Sequence, residues 1–368
     1  MPEFRRRTAI AFTLSFMGFA QTVTPVTSAH AEAWCTAQDV PDPVIQALRT
    51  DADRLFAGHS RAIAHVHTEG SLPHQGIRDE SIEAERDLPL IREEALLWHA
   101  AHDRQALDRL SLLLEGWAGL YQPNFNPIDE TNFDALIDAY AIAKDDLPAA
   151  IREKLRTLVH DWAAGYIEAM QSQKVPEDKS GTQVPSEVNN GSKWSTNWQS
   201  HRVKLATLSA VALGDAPLFE AARAQFKKQI GTNLHADGLS TDFEERDALH
   251  YTVYDLEPLT RAAMAARLRG EDWLTLRGDN GASLAAGLDW LLPYAKGEQT
   301  HEEYVHSKIK FDFQRRDAGV PGFSGRWEPE SSTNLYWTAA SLNGAYAGVA
   351  RSLKPEPAWI AACWTVKG

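Results

Sequence analysis

The chain has 368 residues and carries 37 Lys and Arg against 50 Asp and Glu, a formal net charge of −13. That balance argues against nucleic acid as a partner, because phosphate backbones reward basic surfaces. It also opposes any polyanionic ligand unless a locally basic cleft overrides the global field.

In chain order, the first feature is a leader. Arg5, Arg6 and Arg7 precede a mostly apolar run over residues 9–20, and a polar stretch then ends in Ala29-His30-Ala31. A basic start, a short apolar run and an A-x-A site describe a secretory signal peptide over 1–31, with cleavage after Ala31 and export to the periplasm or beyond. The apolar run is too short to span a membrane, and no later stretch is long and apolar enough to do so. Residues 32–368 are long enough to bury a sizeable core, so no membrane partner is expected. Cys35 and Cys363 lie near the two ends of this segment. In an oxidising compartment they are placed to join the termini; two buried thiols fit equally well, because pairing is not deducible from sequence.

Helical periodicity dominates the rest of the chain. Leu96, Leu97, Ala100 and Ala101 recur at three-to-four spacing, and after a short break Leu107, Leu110, Leu113, Leu114 and Trp117 continue it. Residues 134–144, 151–170, 203–213, 218–230, 256–268 and 284–292 read the same way, with Pro123, Pro127, Pro148, Pro217, Gly231, Gly238 and Gly270 punctuating the gaps. One strand is expected over 308–313, where Lys-Ile-Lys-Phe-Asp-Phe alternates. Many helix pairs with short links predict an all-α fold, an α/α toroid or a helical array, and no repeat of fixed period supports a solenoid. A polar segment over 175–195 reads as a lid, a cleft wall or a disordered stretch.

Four constellations are candidates for chemistry. Ser195-Thr196-Asn197-Trp198-Gln199-Ser200-His201-Arg202 gathers amide, aromatic, imidazole and guanidinium groups at a helix entrance, an arrangement that a polar helix cap also explains. In Glu245 to Tyr254, a helix would put Asp247, Tyr251 and Tyr254 on one face and Arg246 with His250 on another. Tyr294, Lys296, His301, Tyr304, His306, Lys308 and Lys310 read as a solvated basic loop. His65-Val66-His67, with His74 nearby, lacks an acidic or Cys partner at a diagnostic spacing, so no metal and no cofactor are expected. Nucleophile-elbow, zincin, Walker and dinucleotide motifs are absent from the sequence.

The block Arg246-Asp247-Ala248-Leu249-His250-Tyr251-Thr252-Val253-Tyr254-Asp255-Leu256-Glu257-Pro258-Leu259, the Asn197 helix entrance ending in Ala210-Val211-Ala212-Leu213, and Asn132-Phe133-Asp134-Ala135-Leu136 resemble three blocks of the alginate lyase superfamily. The resemblance spans roughly residues 70–310. It implies an incomplete α/α toroid over 32–368 and a polysaccharide lyase that cleaves a β-1,4-linked uronate polymer, alginate or glucuronan, by β-elimination without a metal. Carried over residue by residue, it implies Tyr251 as acid and base, Asn197 with Arg202 or Arg246 as carboxylate neutralisers, and His201 as helper or alternative base. Trp198, His250, Tyr254, His74 and Asn132 are expected to bind substrate. The pattern departs from the mannuronate lyases. Thr196-Asn197-Trp198 stands where they carry Asn-Asn-His, His201 is one turn further on, and the family Arg falls on Glu244. A divergent branch is therefore implied. Two other readings fit the composition: a helical-toroid glycoside hydrolase with two opposed carboxylates, and a non-catalytic glycan-binding protein using Trp as stacking surface.

Overall fold

The computed structural model describes residues 33–174 and 191–366; the expected leader and residues 175–190 of the expected lid lie outside the described residues. Among the described residues the regular structure is helical: α1 (Asp42–Leu55), α2 (Arg78–Glu85), α3 (Asp87–Ala101), α4 (Arg104–Leu120), α5 (Asp134–Ala143), α6 (Ala149–Ser172), α7 (Asn197–Leu213), α8 (Ala216–Asn233), α9 (Thr241–Arg246), α10 (Leu249–Arg267), α11 (Leu284–Ala295), α12 (Lys310–Asp317), α13 (Thr333–Leu342), α14 (Ala347–Leu353) and α15 (Ala358–Ala361). No described helix is long and apolar enough to cross a membrane.

Local chemistry sets the breaks. His102 adopts a left-handed conformation that ends α3, and the Asp103 carboxylate then caps α4 by accepting from the Gln105 and Ala106 N–H groups. Gly214 closes α7, and Asp215 caps α8 with Pro217 in its first turn. Gly231, expected as a breaker, instead lies inside α8. A Cβ there would stand 3.1 Å from the Asp279 N atom, so the glycine lets the Gly278–Asp279 turn approach the helix.

The largest correction concerns 308–313, which is not a strand. Residues from Lys310 form α12, and the alternating phenylalanines serve helical pairs: the Arg315 guanidinium lies 4.4 Å from the Phe311 ring centre and that of Arg316 lies 5.1 Å from Phe313. Asp312 between them is buried against Arg246.

Helix α7 packs against α5, α6, α8 and α10 and is buried on nearly all sides. Its first turn is polar, yet Asn197, Gln199, Ser200, His201 and Arg202 are buried, so periodicity locates the helix only from Val203 onward. Beneath it runs an ion network. Arg92 and Arg261 bind both Asp134 and Asp138, Lys204 approaches Asp134, and the Trp34 indole donates to Asp138. Burial alone would raise Asp134, but Lys204, Arg92 and Arg261 hold its carboxyl well below the usual range. Removing one partner from such a network costs about 3–5 kcal/mol. Cys35 and Cys363 are disulfide-bonded, and the Thr36 N–H donates to the Cys363 carbonyl at 2.7 Å.

Candidate active site

The site is built around a break between two helices. Asp247, at φ 49°, ends α9 in the left-handed region, and extended Ala248 starts α10. The Glu303 carboxylate caps α10 by accepting from the Leu249 and His250 N–H groups at 2.8 and 3.3 Å. Burial pushes that carboxyl up to about 7 against the pull of those donors. Asp247 is therefore not on the Tyr251–Tyr254 face, nor do Arg246 and His250 share a helix. Asp247 instead anchors the following loop, its carbonyl bonded to His301 and its carboxylate accepting from the His306 N–H.

The break delivers Tyr251 into a second apolar cluster, apart from the main core, formed with Ala248, Tyr304 and Phe323 and flanked by Tyr254 and Val320. Two cations meet Tyr251 there. Arg315 Nη1 donates to the phenol oxygen at 2.8 Å, and the Arg246 guanidinium lies 3.9 Å from the ring centre. Arg246 is itself held by an ion pair with buried Asp312, whose second oxygen accepts from Ser307. Arg315 was missed by sequence reasoning: it lies two positions past the strand expected over 308–313, in the helix that replaces that strand. The Phe311–Arg315 spacing of four is the signal that helical periodicity offered.

Asn197 sits at the start of α7, its N–H and its side-chain amide both donating to Asp242. Burial pushes Asp242 up to about 6, opposed by Asn197 and by nearby Arg246. One of the two amide hydrogens is thus occupied within the protein. His201 is buried; its Nδ1 is hydrogen-bonded to Thr131 Oγ1 at 2.7 Å, and its ring packs at 4.4 Å on Tyr254. Burial and the Lys204 charge drive its pKa well below the ordinary value, so it is a neutral imidazole. Burial, then the neighbouring Tyr251, raises Tyr254, while its hydrogen bond from Thr131 pulls the other way. Thr131, another group sequence did not single out, thus joins His201 to Tyr254.

His250 lines the same cluster, 5.4 Å from Tyr251 and 5.9 Å from Phe323 between ring centres. Crowding by protein, together with Arg315 and Arg246, pushes its imidazole down to about 4 although part of the ring meets solvent. Trp198 is buried with the Lys193 ammonium 4.0 Å over its ring.

Two expected residues make their contacts outside the Tyr251 cluster, and a third, Asn132, borders it. Arg202 is fully buried, its guanidinium 4.0 Å over Trp194 and one nitrogen donating to the Lys193 carbonyl at 2.7 Å. Burial lowers it to about 10. Stacking on Trp194 has taken this side chain into the protein, so Arg246 and Arg315 are the guanidinium groups available at Tyr251. His74 is exposed and pairs with Asp79 at 2.5 Å. Asn132, next to Thr131, is exposed and bonds Glu85, which burial and Asp129 push up to about 8 and whose charge reaches Tyr254; Asn132 and Glu85 border a cavity of about 320 Å³ together with Arg86 and Arg92. His67 bonds Asp129, which also accepts from the Thr68 and Glu69 N–H groups, and the described residues hold no group of three His, Cys, Asp or Glu placed for a metal. A cavity of about 410 Å³ lies at the disulfide end beside Met264, Arg267 and Trp364 and shares no residue with the Tyr251 cluster.

Chemically, the arrangement offers a phenol backed by two guanidinium groups, a neutral histidine and a second tyrosine, all at one face. A donor held on the phenol oxygen stabilises the charge that oxygen carries after losing its proton.

Residues 26–301 match the family described as alginate lyase. No curated protein matches the sequence. Among solved structures, an alginate lyase from Bacteroides ovatus superposes with a TM-score of 0.58 at 15% identity, over 88% of this chain and 93% of its own. Alginate lyase A1-III from Sphingomonas species A1 gives 0.53 at 16% identity, over 89% and 98%. A tyrosine-to-phenylalanine variant of alginate lyase A1-III complexed with a tetrasaccharide gives 0.54 at 15%, over 90% and 98%. These likenesses identify the fold as the incomplete α/α toroid.

Proposed function

The chain belongs to the alginate lyase family, and from that premise we propose that this polysaccharide lyase cleaves a β-1,4-linked uronate polymer, polymannuronate or glucuronan, by β-elimination. The observation that carries the reading is Tyr251, in the family's tyrosine-bearing block, with Arg315 on its oxygen at 2.8 Å and Arg246 over its ring. The tetrasaccharide bound to a similar lyase supports an oligosaccharide-sized ligand.

Elimination removes the C5 proton next to a carboxylate and expels the C4 oxygen. The C5–H and C4–O bonds break, and a C4–C5 double bond forms. In β-linked mannuronate and glucuronate the C5 proton and C4 oxygen lie on the same ring face. One phenolate therefore takes the proton and returns it to the leaving oxygen, ending in its starting state. Guanidinium groups neutralise the uronate carboxylate, without which the C5 proton is not acidic. Arg246 and Arg315 take that role in place of Arg202. Asn197 holds Asp242 near Arg246, and neutral His201 supports Tyr254. Because the two sugars differ only at C2, remote from the reaction, these groups serve either polymer. The expected leader over 1–31 supports action in the periplasm or outside the cell.

The test incubates purified residues 32–368 with polymannuronate, polyguluronate, glucuronan and hyaluronan separately, following the ultraviolet absorbance of the new double bond. A rise on one polymer that Tyr251→Phe abolishes, with its circular dichroism unchanged, is the expected result. New reducing ends without that absorbance would instead establish a hydrolase. Binding without shortening would establish a glycan-binding protein, and either outcome overturns the proposal.

A further inference from the structure

Tyr304 has two features that its ring packing does not explain. Its hydroxyl is buried and has no hydrogen-bond partner among the described residues. A phenylalanine would keep the same ring contacts without desolvating a polar group. Its backbone is also left-handed, at φ 64°, which is unfavourable for a bulky side chain. That conformation is held from outside: the Tyr304 N–H donates at 2.8 Å to the carbonyl of Asp247, itself left-handed at φ 49°. Strain retained by two adjoining segments at the start of the Tyr251 helix places the Tyr304 ring edge-on to Tyr251, with centres 6.2 Å apart at 89°. Phe323 stacks on its other side at 5.0 Å.

We propose that Tyr304 is a positioning residue whose O–H group donates to the Tyr251 oxygen when Tyr251 gives up its proton, stabilising the phenolate form of the base. The inference rests on Tyr251 being the base. It gives the unused hydroxyl an acceptor, the Tyr251 oxygen, whose pull on a donor strengthens as that oxygen takes on charge. Burial first, then charge on Tyr251, Glu303 and Asp312, keeps the Tyr304 phenol protonated far above the ordinary range, so it remains a donor. The groups facing Tyr251 and Tyr304 are Arg246 from α9, His250 and Tyr254 from α10, Glu303 from the loop, and Asp312 and Arg315 from α12. Among these described groups, the phenol of Tyr304 is the neutral hydroxyl donor left uncommitted.

The test is a carbon-13 NMR titration of ring-labelled tyrosine in the purified protein, with the Tyr251 resonance assigned by its loss in Tyr251→Phe. In Tyr304→Phe, the melting temperature should be equal or higher, since only an unpaired polar group is lost. The Tyr251 titration should move up by about one pH unit. The acid limb of kcat/KM should move with it, lowering kcat/KM about tenfold below the limb at unchanged KM. Fluorotyrosine at position 304, a stronger donor, should move the Tyr251 titration down, which keeps the idea testable if the phenylalanine variant folds poorly. A Tyr251 resonance that titrates unchanged in both proteins overturns the proposal. Turnover surviving in Tyr251→Phe would instead remove the base assignment itself, an outcome read from a different variant.

Discussion

Replacing Arg315 by Met tests whether α12 belongs to the catalytic machinery or merely covers it. Arg315 makes one charged hydrogen bond to the Tyr251 oxygen, at 2.8 Å, and stacks on Phe311 and Phe323 at 4.4 and 5.0 Å. A charged hydrogen bond contributes about 1.5–3 kcal/mol. If that bond strengthens as charge develops on the phenol, its loss lowers kcat/KM by roughly ten- to 150-fold. The two ring contacts are worth about 0.5–1 kcal/mol each, and methionine keeps part of the packing, so stability should fall by about 1 kcal/mol or less. Arg315→Lys retains charge but loses the fork and the stacking, and should recover only part of the rate. Initial rates of double-bond absorbance, with urea denaturation run alongside, separate the two effects. An Arg315→Met protein within about twofold of the parent in kcat/KM, at normal stability, would refute the placement of Arg315 in the reaction.

Two further predictions concern the scaffold. The buried Glu130 carboxyl accepts from Tyr121 and Tyr166 and is pushed by burial up to about 7. A folded pKa raised above the unfolded 4.5 means that its stabilisation is complete at low pH and is lost as pH rises through 7. Glu130→Gln should therefore gain about 2.5 kcal/mol relative to the parent between about pH 5 and about pH 8, read from urea midpoints; an equal offset at both pH values refutes this. Cys363→Ser opens a bridge between residues 328 positions apart and should cost about 2–5 kcal/mol while leaving the turnover of folded protein unchanged, because the bond lies away from Tyr251. A loss of activity exceeding the loss of folded protein in the same sample would contradict that separation.

What could be read from sequence followed a physical divide. Helices with one apolar stripe, such as α6 and α8, announce themselves by period, and their bounds lie within a few residues of expectation. Helix α7 did so only in part, because its first turn buries amide, imidazole and guanidinium groups against Asp242, Thr131 and Trp194. Tyr251 and Tyr254 were legible as a pair because their spacing of three survives in α10. Arg246, over the Tyr251 ring, was legible too, but the cation on the Tyr251 oxygen was not, because Arg315 arrives from 64 residues away on a short helix whose Lys-Ile-Lys-Phe-Asp-Phe stretch alternates like a strand. Arg202 misled for the opposite reason. It is next to His201 in sequence, but one position along a helix turns the side chain by about 100° and away from the same surface.

The acidic composition, which on its face opposes a polyanionic ligand, is less of an obstacle once burial is considered. A formal charge of −13 counts every carboxylate as ionised. Around the Tyr251 face several are not fully so at neutral pH: burial pushes Glu303 up to about 7 and Glu85 up to about 8, while Glu69 pairs with Lys193 at 3.7 Å. Asp312 is neutralised by its ion pair with Arg246. The carboxylates that would repel a uronate are thus partly protonated or paired, while Arg315 has its charge directed at the phenol and Lys193 lies against Trp198. Repulsion between charges far apart on the surface is screened beyond about 8–10 Å at physiological salt. The field a bound sugar meets is therefore set by these few cleft groups and not by the net charge of the chain.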